Sequence, residues 1–88
     1  MTKGFQVKLS ARALKELKKL DRPAAALILG WIKKNLEGCA DPRAYGKALA
    51  GGLKGSWRYR VGDYRLIAEI LDSEGVIFLP LIAFLKVI

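Results

Sequence analysis

Residues 56 to 70 read SWRYRVGDYRLIAEI, and the dipeptide Gly62-Asp63 at its centre decides how the second half of the chain folds. A glycine beside an aspartate, between two runs that alternate apolar and polar, is the signal of a two-residue hairpin turn. The flanking runs, 56 to 61 and 64 to 71, then pair as antiparallel strands. Val61 falls opposite Tyr64, Arg60 opposite Arg65, and Arg58 opposite Ile67. Directly opposed residues share a face of the sheet. One face therefore carries Trp57, Tyr59 and Val61 with Tyr64, Leu66, Ala68 and Ile70, and it is fit for a core. The other face carries Arg58, Arg60 and Arg65.

Like charges opposed across a strand pair cost a few tenths to about 1 kcal/mol. Two remedies are open. Asp63 and Glu69 can neutralise the patch from within, or an external anion can. Two carboxylates against three arginines, with Lys54 nearby, leave a positive surplus. A phosphate turns the repulsion into charge-assisted hydrogen bonds of roughly 1.5–3 kcal/mol each. The planar guanidinium suits that task because it holds two phosphate oxygens at once. Lys47 and Lys54 flank the hairpin and extend a basic track that fits an RNA or DNA backbone. Tyr45 is by default an ordinary packing tyrosine, and a base-stacking one if the track holds nucleic acid.

Beyond the hairpin comes the turn Asp72-Ser73-Glu74-Gly75 and then the apolar run GVIFLPLIAFLKVI, 75 to 88. That run is too short for a membrane span, is broken by Pro80 and carries Lys86. It reads as a buried strand over about 76 to 85, with a bulge or strand end at Pro80, which has no N–H to donate. On the N-terminal side, FQVKL, 5 to 9, alternates as a half-buried strand. Ser10 is placed to cap a helix in which Leu14, Leu17 and Leu20 recur, ending before Pro23. Asp21 caps a second helix with Pro23 in its first turn, an apolar stripe of Ala25, Ile28, Leu29, Ile32 and Leu36, and a stop at Gly38. Trp31 lies off the centre of that stripe and belongs to the core or to a partner surface. Residues 38 to 52, GCADPRAYGKALAGG, form a long connector, of the kind that is often functional. The element order is β-α-α-β-β-β. Strands grouped apart from helices predict an α+β domain, an antiparallel sheet with helices on one face, spanning 1–88 as a single unit.

Composition bounds the function. Sixteen Lys/Arg against eight Asp/Glu give a net charge of +8, which favours polyanions or an acidic protein partner. The single cysteine, Cys39, forms no disulfide within the chain and fits a reducing cytoplasm. Histidine is absent, which removes the commonest general base and the commonest metal ligand. Cys39 has no activating base in view and reads as inert. No metal or cofactor is implied, and no secretory signal is visible at the start of the chain.

The stretch KALAGGLKGSWRYRVGDYRLI, Lys47 to Ile67, resembles the RelE/ParE superfamily of bacterial toxins, and its RelE branch most. The early segment ALKELKKLD, 13 to 21, is similar to the start of that family's helical hairpin. The resemblance implies the toxin of a type II toxin–antitoxin module, acting as an mRNA endoribonuclease in the ribosomal A site. It assigns Arg60 and Arg65 to phosphate stabilisation and Arg58 to substrate positioning or proton transfer, since a guanidinium is a poor base. Lys47, Lys54 and Lys86 would bind RNA. The expected partners are the ribosome, mRNA and a wrapping acidic antitoxin of RelB type, often two plus two, with no membrane involved. The chain departs from the RelE pattern after the last strand: AFLKVI replaces the usual glycine, basic residues and near-terminal tyrosine. The expectation is a retained fold and antitoxin binding with weak or absent cleavage. The alternatives are a ParE-like toxin that blocks gyrase without cutting, and an inactive relic that only binds antitoxin.

Overall fold

The computed structural model describes residues 4–49 and 56–84. β1 (Gln6–Leu9) leads into α1 (Ala11–Lys19) and α2 (Arg22–Asn35). β2 (Lys47–Ala48), β3 (Ser56–Val61), β4 (Tyr64–Leu71) and β5 (Val76–Phe84) follow, with one 3-10 turn (Asp72–Glu74) before β5. The expected α+β order holds, with one addition: the connector contributes β2, a two-residue strand on the edge of β3.

The helices start where side chains can satisfy free backbone donors. Ser10 Oγ accepts from Ala13 N at 2.9 Å, and Asp21 Oδ1 accepts from Ala24 N at 2.9 Å. Each removes one of the unpaired N–H groups of a first helical turn. Pro23 sits within the first turn of α2, where its missing N–H costs nothing. Two residues depart from the expected stripes. Leu14 and Leu29 are 46% and 48% exposed. Ala13 and Leu17, one turn apart, bury α1 instead, and α2 buries Ile28, Ile32 and the capping Leu36. Helical spacing alone leaves the stripe's rotation open by a residue, and the sheet's position chooses.

The sheet order is β1-β5-β4-β3-β2. The hairpin pairs in the expected register, Val61 with Tyr64, Arg60 with Arg65 and Arg58 with Ile67. Gly62 has φ of 59° and Asp63 has no positive φ, the pattern of a type II′ turn. The sheet is not wholly antiparallel, however. β1 pairs in parallel with β5, Gln6 with Val76 through Leu9 with Leu79. Such a pairing needs a crossover, which the two helices supply. β5 is therefore an interior strand, which explains its nearly unbroken apolar sequence.

Pro80 causes the one irregularity of the β4–β5 ladder. The register moves from Ile67–Leu81 to Glu69–Phe78, so Leu79 and Pro80 oppose Ala68 alone. The displaced backbone groups find other partners. Pro80 O accepts from Ser10 Oγ at 2.8 Å, and Ile82 N donates to Glu16 Oε1 at 2.9 Å, beyond the end of β1. The core lies between the helices and the inner face of the sheet. Tyr59, Val61, Leu66, Ala68, Ile77, Leu79 and Ile82 meet Ala13, Leu17, Ile28, Ile32 and Leu36 there. The arginines project from the opposite, outer face of the hairpin.

Candidate RNA interface

The hairpin register places Arg58, Arg60 and Arg65 on the outer face, and β2 adds a fourth cation. Lys47 pairs directly with Arg58, so it projects to the same side. β2 begins at Lys47, opposite Arg58, and β3 runs on past that pair with residues 59 to 61 as the sheet edge. An open cavity of about 440 Å³ occupies this edge. Lys47, Arg58, Arg60 and Arg65 line it on one side, and Trp31, Tyr45 and Tyr59 supply its aromatic side.

The two ion pairs among the described residues are Arg12–Glu16 and Arg43–Asp72, and neither engages a hairpin arginine. Asp63 and Glu69 are exposed and leave the patch uncompensated. Arg60 Nε donates to the carbonyl of Gly62, in its own turn, at 3.4 Å. Arg58 and Arg65 are half-buried and Arg60 is exposed. Lys54 and Lys86, the other two expected RNA-binding residues, lie outside the described residues.

The connector is held against this edge by three side chains. Trp57 Nε1 donates to Tyr45 O at 2.6 Å, and the buried Tyr59 hydroxyl donates to Pro42 O at 2.6 Å. Arg43 grips Asp72 with two parallel bonds, Nη1 to Oδ1 at 3.0 Å and Nη2 to Oδ2 at 2.9 Å. The Arg43 guanidinium holds the Asp72 carboxyl below the usual carboxylate range. Burial pushes the Tyr59 phenol well above its ordinary value, so it stays a donor. Burial, then the charge of Asp41, raises the Cys39 thiol, which disfavours the reactive thiolate.

Gly46 permits the approach. Its φ is 78°, and a Cβ there would stand 2.1 Å from the Arg58 carbonyl oxygen. No side chain fits between the connector and β3. Trp31 meets Tyr45 edge-on, with ring centroids 5.9 Å apart at 75°, and packs on Tyr59 at 5.5 Å. Off the centre of its helix's apolar stripe, Trp31 is expected in the core by default, with a partner surface as the alternative, and it packs against the core. Its position off the apolar stripe was the available signal, and it proves to be half-buried on the cavity wall. Gly46 and Arg43 carried no signal, because their partners lie in other elements.

The family model "ParE toxin of type II toxin-antitoxin system, parDE" matches residues 7–82. Among solved structures, the chain superimposes on one from the toxin–antitoxin complex RelBE2 of Mycobacterium tuberculosis. The TM-score is 0.82 at 24% identity, over 96% of this chain and 94% of that one. The isolated E. coli RelE toxin gives a TM-score of 0.74 at 20% identity, over 97% and 88% of the two chains. The intact E. coli RelBE complex gives 0.68 at 19%, over 96% and 100%. At these identities the likeness speaks for the fold. A search of curated proteins returned no significant match.

Proposed function

The chain belongs to the ParE toxin family of type II toxin–antitoxin systems, within the RelE/ParE superfamily, and on that premise we propose that it acts on RNA in the RelE manner. The observation that carries this reading is the cluster of Arg58, Arg60 and Arg65 with Lys47 beside an open cavity, gathered without carboxylate partners among the described residues. A fold gains nothing from that crowding unless a polyanion binds there.

In the proposed reaction the 2′-hydroxyl oxygen of one nucleotide attacks the adjacent phosphorus. The bond from phosphorus to the 5′-oxygen breaks, leaving a 2′,3′-cyclic phosphate and a 5′-hydroxyl. One proton leaves the 2′-hydroxyl and one reaches the 5′-oxygen. The guanidiniums of Arg60 and Arg65 carry the extra negative charge of the five-coordinate phosphorus, where fixed donors lower the barrier most. Arg58 orients the strand or assists a proton transfer. Lys47, with Lys54 and Lys86, holds flanking phosphates. The site of action is the translating ribosome in the cytoplasm. Among the described residues no helix is long and apolar enough to cross a membrane.

The proposed partner is an acidic, amphipathic antitoxin of RelB type in a two-plus-two assembly. Supporting this, Leu14 stands exposed on α1 among Arg12, Lys15 and Lys18, and Leu27 and Leu29 stand exposed on α2. An acidic helix or strand with one apolar side would complement both. The family match favours one second reading, a ParE-type block of gyrase without cutting.

The experiment runs purified toxin in two reactions, cell-free translation with mapping of mRNA 5′ ends, and DNA supercoiling by gyrase. Translation-dependent cuts that Arg65→Ala abolishes support the RNA reading. Gyrase inhibition with intact mRNA refutes it. Inactivity in both, with tight antitoxin binding, leaves the relic.

A further inference from the structure

Tyr45 is the one residue of the cavity whose setting neither the core nor the phosphate reading explains. It is 45% exposed, yet it is held from three directions. Its carbonyl is bonded by Trp57 Nε1, its ring abuts Trp31, and the next residue is the sterically locked Gly46. Trp31 is in turn fixed by the buried ring of Tyr59. The edge-on contact is not a stack of the two faces, and with Tyr45 45% exposed its ring keeps open surface. That ring borders the same cavity as Arg58, Arg60 and Arg65.

We propose that Tyr45 is a stacking platform for a base of single-stranded RNA whose phosphate the hairpin arginines hold. The inference rests on the RNA reading above and adds how the base, and not only the backbone, is engaged. A volume of about 440 Å³ has room for a nucleotide, with its anionic end on the guanidiniums and its flat end on the ring. A ring already fixed by packing loses little freedom on binding, so most of the stacking energy appears as affinity. Stacking tolerates any base, since every base has a π-face. Trp31 acts as a positioning residue through Tyr45.

The test compares a short single-stranded RNA with an abasic ribose-phosphate oligomer of equal length by fluorescence anisotropy. Tyr45→Ala lowers affinity for the RNA by about 5- to 150-fold, the range for removal of one stacked base. Tyr45→Phe keeps it, and no Tyr45 variant changes affinity for the abasic oligomer. Tyr45→Leu retains apolar packing on Trp31 and must behave as Tyr45→Ala does, which guards against a folding artefact. Unchanged RNA affinity in Tyr45→Ala, with loss in Arg60→Ala, overturns the platform and leaves the RNA reading standing. Equal loss toward both oligomers also overturns it. A wild-type protein that binds neither oligomer overturns the platform, while the RNA reading stands or falls on the translation-dependent cutting described above.

Discussion

Replacing Arg60 or Arg65 with threonine is expected to stabilise the protein while weakening the RNA binding proposed for it. The two residues face each other directly across the hairpin. A two-residue turn makes Val61–Tyr64 the hydrogen-bonded pair and Arg60–Arg65 the next, non-hydrogen-bonded pair, in which Cα atoms stand about 4.5 Å apart. Side chains are closest in that class of pair. Among the described residues neither arginine has a carboxylate partner to screen the repulsion from within. The cost of opposed like charges on strands is about 0.2–1 kcal/mol. Threonine keeps β-propensity, so relief of that cost should dominate. For a domain of this size it corresponds to a rise in Tm of about 1–6 °C at low ionic strength. Each arginine is repelled by the other, so either single change relieves the same term. The double variant should then gain less than the sum of the singles. Salt should shrink the effect, since the Debye length is about 8 Å near 0.15 M. Binding should move the other way. Loss of one phosphate contact lowers the salt slope of single-stranded RNA affinity by about 0.7. Melting curves at two ionic strengths, with anisotropy titrations over salt, check all of this. Single variants that lose stability at low salt, or additive Tm changes with an unaltered salt slope, would refute the reasoning.

Other substitutions test the frame that positions the cavity. Tyr59→Phe leaves the Pro42 carbonyl unpaired in a buried setting and should cost about 1–3 kcal/mol, read by urea unfolding. Because burial raises the Tyr59 phenol in the folded state, wild-type stability is full below the ordinary tyrosine value of about 10 and falls as pH rises beyond it; Tyr59→Phe should lose less over that range. Glu16→Ala strips the Ile82 amide of its acceptor and should cost about 1–3 kcal/mol, whereas Glu16→Gln, which keeps a carbonyl oxygen, should recover most of it. Gly46→Ala imposes about 1–2 kcal/mol for the left-handed backbone alone and a clash with the Arg58 carbonyl besides, so its Tm should fall by at least several degrees. The depressed Asp72 carboxyl contributes stability above the ordinary carboxylate value of about 4, and that contribution is lost as pH falls through its lowered value; acid melts of Asp72→Asn should lack this component.

Much of the fold was legible in the residues because its signals are local. Ser10 and Asp21 announced two helix starts, Gly62-Asp63 announced the hairpin, and strict alternation on both sides set the register that groups three arginines. Each of these depends on side chains within a few positions of one another, where spacing and geometry are the same thing. Pro80 likewise announced its own bulge, since a missing N–H disturbs any ladder. Tertiary structure decided what depends on distant partners. The parallel union of β1 with β5 joins residues about 70 positions apart, and nothing local in either strand names the other. Which leucine of α1 faces inward, and the capture of the Ile82 amide by Glu16, followed from where the sheet came to lie. The cavity itself is such a product. The guanidiniums came from alternation, but Trp31 and Tyr45 reach them only because Trp57, Tyr59 and Asp72 draw the connector against the sheet edge, and long-range contacts of that kind leave no period in a sequence.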